Sequence, residues 1–91
     1  MKKILDCTIG TEPNKTTYRE LIKISINNVP KEGFGIEDIR KRLRVLDALE
    51  KKGDEIKFED ADYDLVKQCV NEQKWVVIDA GIVKFVDTIN A

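Results

Sequence analysis

The sequence predicts a small α+β domain, about four helices with a short two-stranded β element, in one unit over residues 1–91. Three observations predict it. Apolar residues recur at spacings of three and four in several stretches, the signature of one-sided helices. Two shorter stretches alternate apolar with polar residues, the signature of half-buried strands. Ninety-one residues, 42% apolar and 36% charged, are enough for one core and too few for two.

The elements follow in order. Leu5, Cys7 and Ile9 alternate with Asp6 and Thr8, which predicts a strand over residues 3–9. Gly10 to Lys15, with Glu12-Pro13-Asn14, reads as a loop. The segment 17–29 supports two patterns. Ile22, Ile24 and Ile26 alternate with Lys23 and Ser25 as in a strand, whereas Tyr18, Leu21, Ile22, Ile26 and Val29 share one helical stripe. Thr17 followed by Glu20 makes a capping box, and Asn28 and Pro30 supply a stop, so helix is favoured. On that reading Ile24 points away from the stripe.

Residues 30–35 form a turn around Gly33-Phe34-Gly35. A helix is predicted from Ile36 to about Lys52, with Ile36, Ile39, Leu43, Leu46 and Leu49 as its inward stripe and Glu37 and Asp38 at its positive end. Residues 55–58 alternate as a short strand. Asp60 then serves as the cap of a helix through about Gln73, with Leu65, Val66, Cys69 and Val70 inward. Trp75-Val76-Val77-Ile78 is an apolar run, either buried extended chain or connector. Asp79 caps a last helix bearing Ile82, Phe85, Val86 and Ile89.

Composition excludes several chemistries. Histidine is absent and Ser25 is the sole serine, which removes histidine acid–base work, histidine metal sites and a Ser-His triad. Sixteen basic and seventeen acidic residues leave a net charge of −1, with no global field toward nucleic acid or membrane. Cys7 and Cys69 match no CxxC spacing and are expected as free thiols. The first ten residues lack the apolar run of a secretory signal, so an intracellular protein is expected, with no membrane segment.

Gly33-Phe34 leading into Ile39-Arg40-Lys41-Arg42-Leu43-Arg44-Val45-Leu46-Asp47-Ala48-Leu49, then Phe58-Glu59-Asp60-Ala61-Asp62-Tyr63, then Lys74-Trp75, form a recognisable set. Together they resemble small proteins encoded by tailed phages and prophages. The resemblance covers most of the chain after Val29. It implies a viral origin and a location in the host cytoplasm or on the virion, and it carries over no functional residue.

Candidate chemistry is sparse. Asp60, Asp62 and Asp64 have the first spacings of a calcium loop, but Leu65 stands where glycine is needed and Asn71 where glutamate is needed. The acids read as a helix start, and no metal is expected. Gly33-Phe34-Gly35 is too short a glycine pattern for a phosphate loop and follows no strand. Arg40, Lys41, Arg42 and Arg44 invite a DNA-reading helix, yet Glu37 and Asp47 share their outer side, so nucleic acid is disfavoured.

Arg42 breaks its local pattern, because it falls inside the apolar stripe between Leu46 and Leu49. It is expected either to bridge an acid such as Glu59 or Asp60, or to reach an anionic ligand or partner beside Trp75 or Tyr63. Homo-oligomerisation, as a dimer or higher, is expected through Ile24, Val45 and Val83, apolar residues outside the inward stripes. The functional expectation is a non-catalytic, phage-encoded protein-binding or assembly protein without cofactor, acting on a host or phage protein as a virion accessory or inhibitor. The alternatives are an oligomeric protein sequestering a small anionic or nucleotide signal, and a DNA-binding regulator.

Overall fold

The computed structural model describes residues 1–10, 15–28, 30–75 and 79–91. Val29, most of the expected loop at 10–15 and the Val76-Val77-Ile78 run lie outside the described residues. Among those described, four helices and two antiparallel two-stranded sheets enclose one core, so the fold is α+β as the periodicities predict.

The strand expected over 3–9 is divided. β1 (Lys2–Leu5) pairs with β4 (Glu55–Phe58), Ile4 opposite Ile56, while β2 (Thr8–Ile9) pairs with β3 (Thr16–Thr17). The break falls at Asp6 and Cys7. The Asp6 amide still donates to the Asp54 carbonyl at 2.8 Å and prolongs the first ladder. Its carboxylate, however, accepts from the Arg19 amide at 3.0 Å, and the Cys7 carbonyl accepts from the Tyr18 amide at 2.9 Å. Alternation along a sequence is the same for one seven-residue strand and for two short ones with a kink between them.

Tyr18–Ile26 forms a helix, α1, where the sequence left helix and strand open. Thr17 Oγ1 accepts from the Glu20 amide at 3.3 Å, fixing the first turn. Tyr18, Leu21, Ile22 and Ile26 are buried and Ile24 is half-exposed, as helical spacing requires. α2 (Ile36–Glu50) follows, then β4 at the expected residues. α3 (Asp60–Glu72) starts one residue earlier than predicted: Glu59 takes the cap position, and Asp60 lies in the first turn, paired with the Met1 amine at 3.3 Å. α4 (Ala80–Asn90) is capped as expected, Asp79 Oδ1 accepting from the Gly81 amide at 2.7 Å. A side chain at Gly81 would meet Ile9 Cβ at 3.0 Å, so glycine there lets α4 lie directly on β2.

The core gathers Tyr18, Ile22, Ile26, Val45, Ile56, Phe58, Val66, Val70, Phe85 and Ile89. Tyr18 meets Phe85 edge-on with centroids 5.0 Å apart, and Phe58 lies 6.2 Å from Tyr63.

α2 departs most from expectation. Val45, taken from its position as an exposed interface residue, is 0% exposed and belongs to the core. Ile36, Ile39 and Leu43, taken as inward, face solvent, with Ile36 63% and Leu43 53% exposed. The inward line is instead Asp38, Arg42, Val45 and Leu49, spaced four, three and four. Helix lengths account for Ile36 and Ile39. α1 and α2 run antiparallel, since Arg19 near the start of α1 reaches the end of α2 and Arg42 reaches the end of α1. Nine residues of α1 make about 13 Å and fifteen of α2 about 22 Å, so the first turns of α2 project beyond its neighbour.

Two arginines fix this pairing. The Arg19 guanidinium donates to the carbonyls of Leu49, of Lys51 at 3.0 Å and of Gly53 at 3.2 Å, while its Nε donates to Asp6 Oδ2 at 3.2 Å. Arg42 Nη1 donates to the Ile26 carbonyl at 2.7 Å. Each helix thus supplies the cation that satisfies the terminal carbonyls of the other.

Arg19→Met is expected to destabilise the fold by about 2–4 kcal/mol, because it strands both the Asp6 carboxylate and the α2 carbonyls. That is a large share of the roughly 5–14 kcal/mol expected for a chain of this size. Chemical denaturation with unchanged slope measures it. Arg19→Lys should recover only part of the loss, since an ammonium cannot span three carbonyls and a carboxylate.

Candidate functional site

The three residues singled out as a site, Arg42, Tyr63 and Trp75, line three separate depressions. Arg42 bounds a shallow one between α1 and α2. Its Nε lies 3.3 Å from Asp38 Oδ1, its Nη1 is spent on Ile26, and its guanidinium stacks 4.0 Å from the centroid of the Phe34 ring. The bridging acid is therefore Asp38, one turn back on the same helix, and neither Glu59 nor Asp60. Phe34 takes the stacking role foreseen for Trp75 or Tyr63. The side chain is largely buried and uses its charge internally.

Tyr63 is a core residue on α3. Its hydroxyl donates to the Ile89 carbonyl at 2.5 Å, tying α3 to the end of α4, and Lys2 Nζ sits 5.4 Å from its ring centroid. Burial raises its pKa, and donation to a carbonyl acts in the same direction. Trp75 packs edge-on against Phe85, centroids 6.0 Å apart, and shares an apolar depression with Ile24 and Ile82. The structure thus brings together Trp75 and Ile24, which the sequence assigned to different roles. Val83 is exposed on α4.

The acids and bases of the remaining candidates are paired with one another. Arg40 Nη1 meets Glu37 Oε1 at 3.0 Å, and Arg44 Nε meets Asp62 Oδ1 at 3.2 Å across α2 and α3. Asp60, Asp62 and Asp64 all lie on helix, not in a loop that could wrap an ion. Among the described residues no group of three or more acidic or cysteine side chains is placed to hold a metal. None of the described helices is long and apolar enough to cross a membrane.

The surface that sequence reasoning missed is the projecting half of α2. Ile36, Ile39 and Leu43 follow i, i+3, i+7 and are all exposed, with Leu46 half-buried beside them. The signal was present in the same stripe that was assigned to the core; what was missing was the length of the neighbour available to cover it.

Both cysteines are free, Cys7 exposed and Cys69 buried. Burial pushes the Cys69 thiol up, against the opposing pull of Arg42. In the native protein at mildly alkaline pH, a thiol reagent should modify Cys7 rapidly and Cys69 only after denaturant is added, as followed by absorbance or mass. The sign of the pH effect follows. The folded state binds the thiol proton more tightly than the unfolded state, so this contribution is complete below the ordinary thiol value and is lost as pH rises through the folded value. Tyr63 acts in the same sense at higher pH. Stability should therefore fall on the alkaline side, and Cys69→Ala should remove the thiol's part of that slope.

No family model matches the chain, and no curated protein or solved structure is significantly similar to it.

Proposed function

We propose that the chain is a non-catalytic protein-binding or assembly protein that works as a homodimer through the projecting face of α2. The observation that carries this reading is the exposed Ile36, Ile39 and Leu43 row on a regular helix. Three large aliphatic residues at that spacing form a seam rather than scattered surface apolars. A two-fold antiparallel pairing matches every member: Ile39 of one copy faces Leu43 of the other, and Ile36 faces Leu46. Arg40, which would lie near its own copy, is already paired with Glu37. The histidine-free composition supports the absence of catalysis. The resemblance to phage and prophage proteins fits a virion-assembly or host-inhibiting role.

Sequestration of an anionic signal through Arg42 has less support, because that guanidinium is already engaged by Asp38, Ile26 and Phe34. DNA binding is weakened in the same way, since Arg40, Arg42 and Arg44 each have an acidic partner.

A seam about 15 Å long covers less than half of the ~800 Å² per partner in a standard interface, so the dimer should be weak, with a dissociation constant on the order of tens of micromolar. Sedimentation equilibrium over roughly 10–500 µM brackets that value. The expected result is a concentration-dependent shift toward dimer, abolished by Leu43→Asp without loss of helical signal and retained in Val83→Asp. A monomer across the whole range would overturn the reading.

A further inference from the structure

We infer that the free edge of β1, together with the α4 surface facing it, is a groove that receives an extended acidic peptide by strand addition. β1 pairs with β4 on one side, and on its other side no strand lies among the described residues. The direction of its backbone groups is fixed by one bond. The Asp6 amide donates toward β4, so by strand alternation Ile4 and Lys2 also face β4, while the amides and carbonyls of Lys3 and Leu5 face the open edge. Those groups are the template that an added strand reads.

A depression of about 390 Å³ lies along that edge. All four residues of β1 line it and none of β4 does, so it follows the unpaired side of the strand and not a face of the sheet. Lys84 and Thr88 of α4 contribute the far wall. Four residues of strand offer about 13 Å of edge, enough to pair a segment of three or four residues.

The charge of the lining selects the occupant. Lys2, Lys3 and Lys84 all line the groove, no Asp or Glu side chain does, and none of the three lysines is ion-paired among the described residues. The lysines discourage a second copy of this basic edge and favour carboxylates on the incoming strand. A compact anion would use the lysines and leave the Lys3 and Leu5 backbone groups unread; a strand uses both.

The test is fluorescence anisotropy with the full chain and a labelled hexapeptide of alternating Glu and Val. Three probes accompany it: the alternating Lys and Val peptide, the acidic peptide N-methylated at alternate amides, and inorganic phosphate as competitor. Saturable binding of the acidic peptide is expected, with no binding of the basic one and loss on N-methylation. Lys3→Glu and Lys84→Glu, both at exposed positions, should each weaken binding roughly tenfold. Amide shifts at Lys3 and Leu5 on titration would place the peptide on the edge. The inference is overturned if the N-methylated peptide binds equally well, if phosphate displaces the peptide stoichiometrically, or if no peptide binds. Leu43→Asp should leave peptide affinity unchanged, so failure here and failure of the α2 dimer are read independently.

Discussion

The guanidinium of Arg19 donates to the Leu49 carbonyl at the end of α2 and to those of Lys51 and Gly53 just beyond it, while its Nε and backbone amide hold the Asp6 carboxylate, and the placement of both sheets and two helices depends on those bonds. α2 has no basic residue in its last turn and ends at Lys51 in extended geometry, so nothing local neutralises its carbonyls. A cation imported from α1 does so. The same residue holds the Asp6 carboxylate where the first ladder ends, on the inward face that Asp6 shares with the buried Ile4, while Leu5 and Cys7, expected inward, are exposed. Arg42 performs the complementary service at Ile26. The α1–α2 pair is therefore locked at both ends by polar contacts, with Leu21, Ile22, Val45 and Leu49 buried around it. Hydrophobic burial supplies the driving force for association, whereas the two arginines set the register.

How much of this was legible in the sequence depends on the range of the interaction. Thr17, Asp79 and the four-residue alternation at 55–58 act within a few positions of themselves, and the elements they predict are observed. The helix–strand ambiguity at 17–29 was resolvable for the same reason: a cap and a stop agree with one pattern only. Arg19 acts across thirty or more residues on backbone carbonyls, which have no sequence signature, and it passed unnoticed among sixteen basic residues. Arg42 was legible as an anomaly but not in its solution, since its acid and its ring, Asp38 and Phe34, are closer in sequence than the partners foreseen.

Val45 shows the limit of an amphipathic stripe. The most apolar line of α2 is Ile36, Ile39, Leu43 and Leu46, and a stripe argument assigns the most apolar line to the core. The core takes Val45 together with Leu49, the one member of the expected stripe that is fully buried, on a line that also carries Asp38 and Arg42. The rotation is set by Arg42: a guanidinium that must reach Ile26 and Phe34 brings its own line of the helix toward α1. Satisfying one charged residue thus turns three aliphatic side chains to solvent, and that outcome is stable only where the exposed row is tolerated or used.

The two surfaces left open by these constraints are chemically unlike. The α2 row is aliphatic and offers no backbone hydrogen bonds, so it favours another regular helix; the β1 edge is basic and offers backbone groups, so it favours an extended acidic segment. They draw on different residues, and no member of one lines the other. A two-fold dimer through α2 would carry two β1 grooves at a fixed separation, and a partner with two acidic segments could engage both. The second contact would then be intramolecular, at an effective concentration that can reach the millimolar range. Linkage makes the coupling reciprocal: a bivalent partner that prefers the dimer must also strengthen the α2 contact by the same factor. A weak seam and a shallow groove, each of modest affinity alone, would in that arrangement give an assembly that is strengthened when the partner is present.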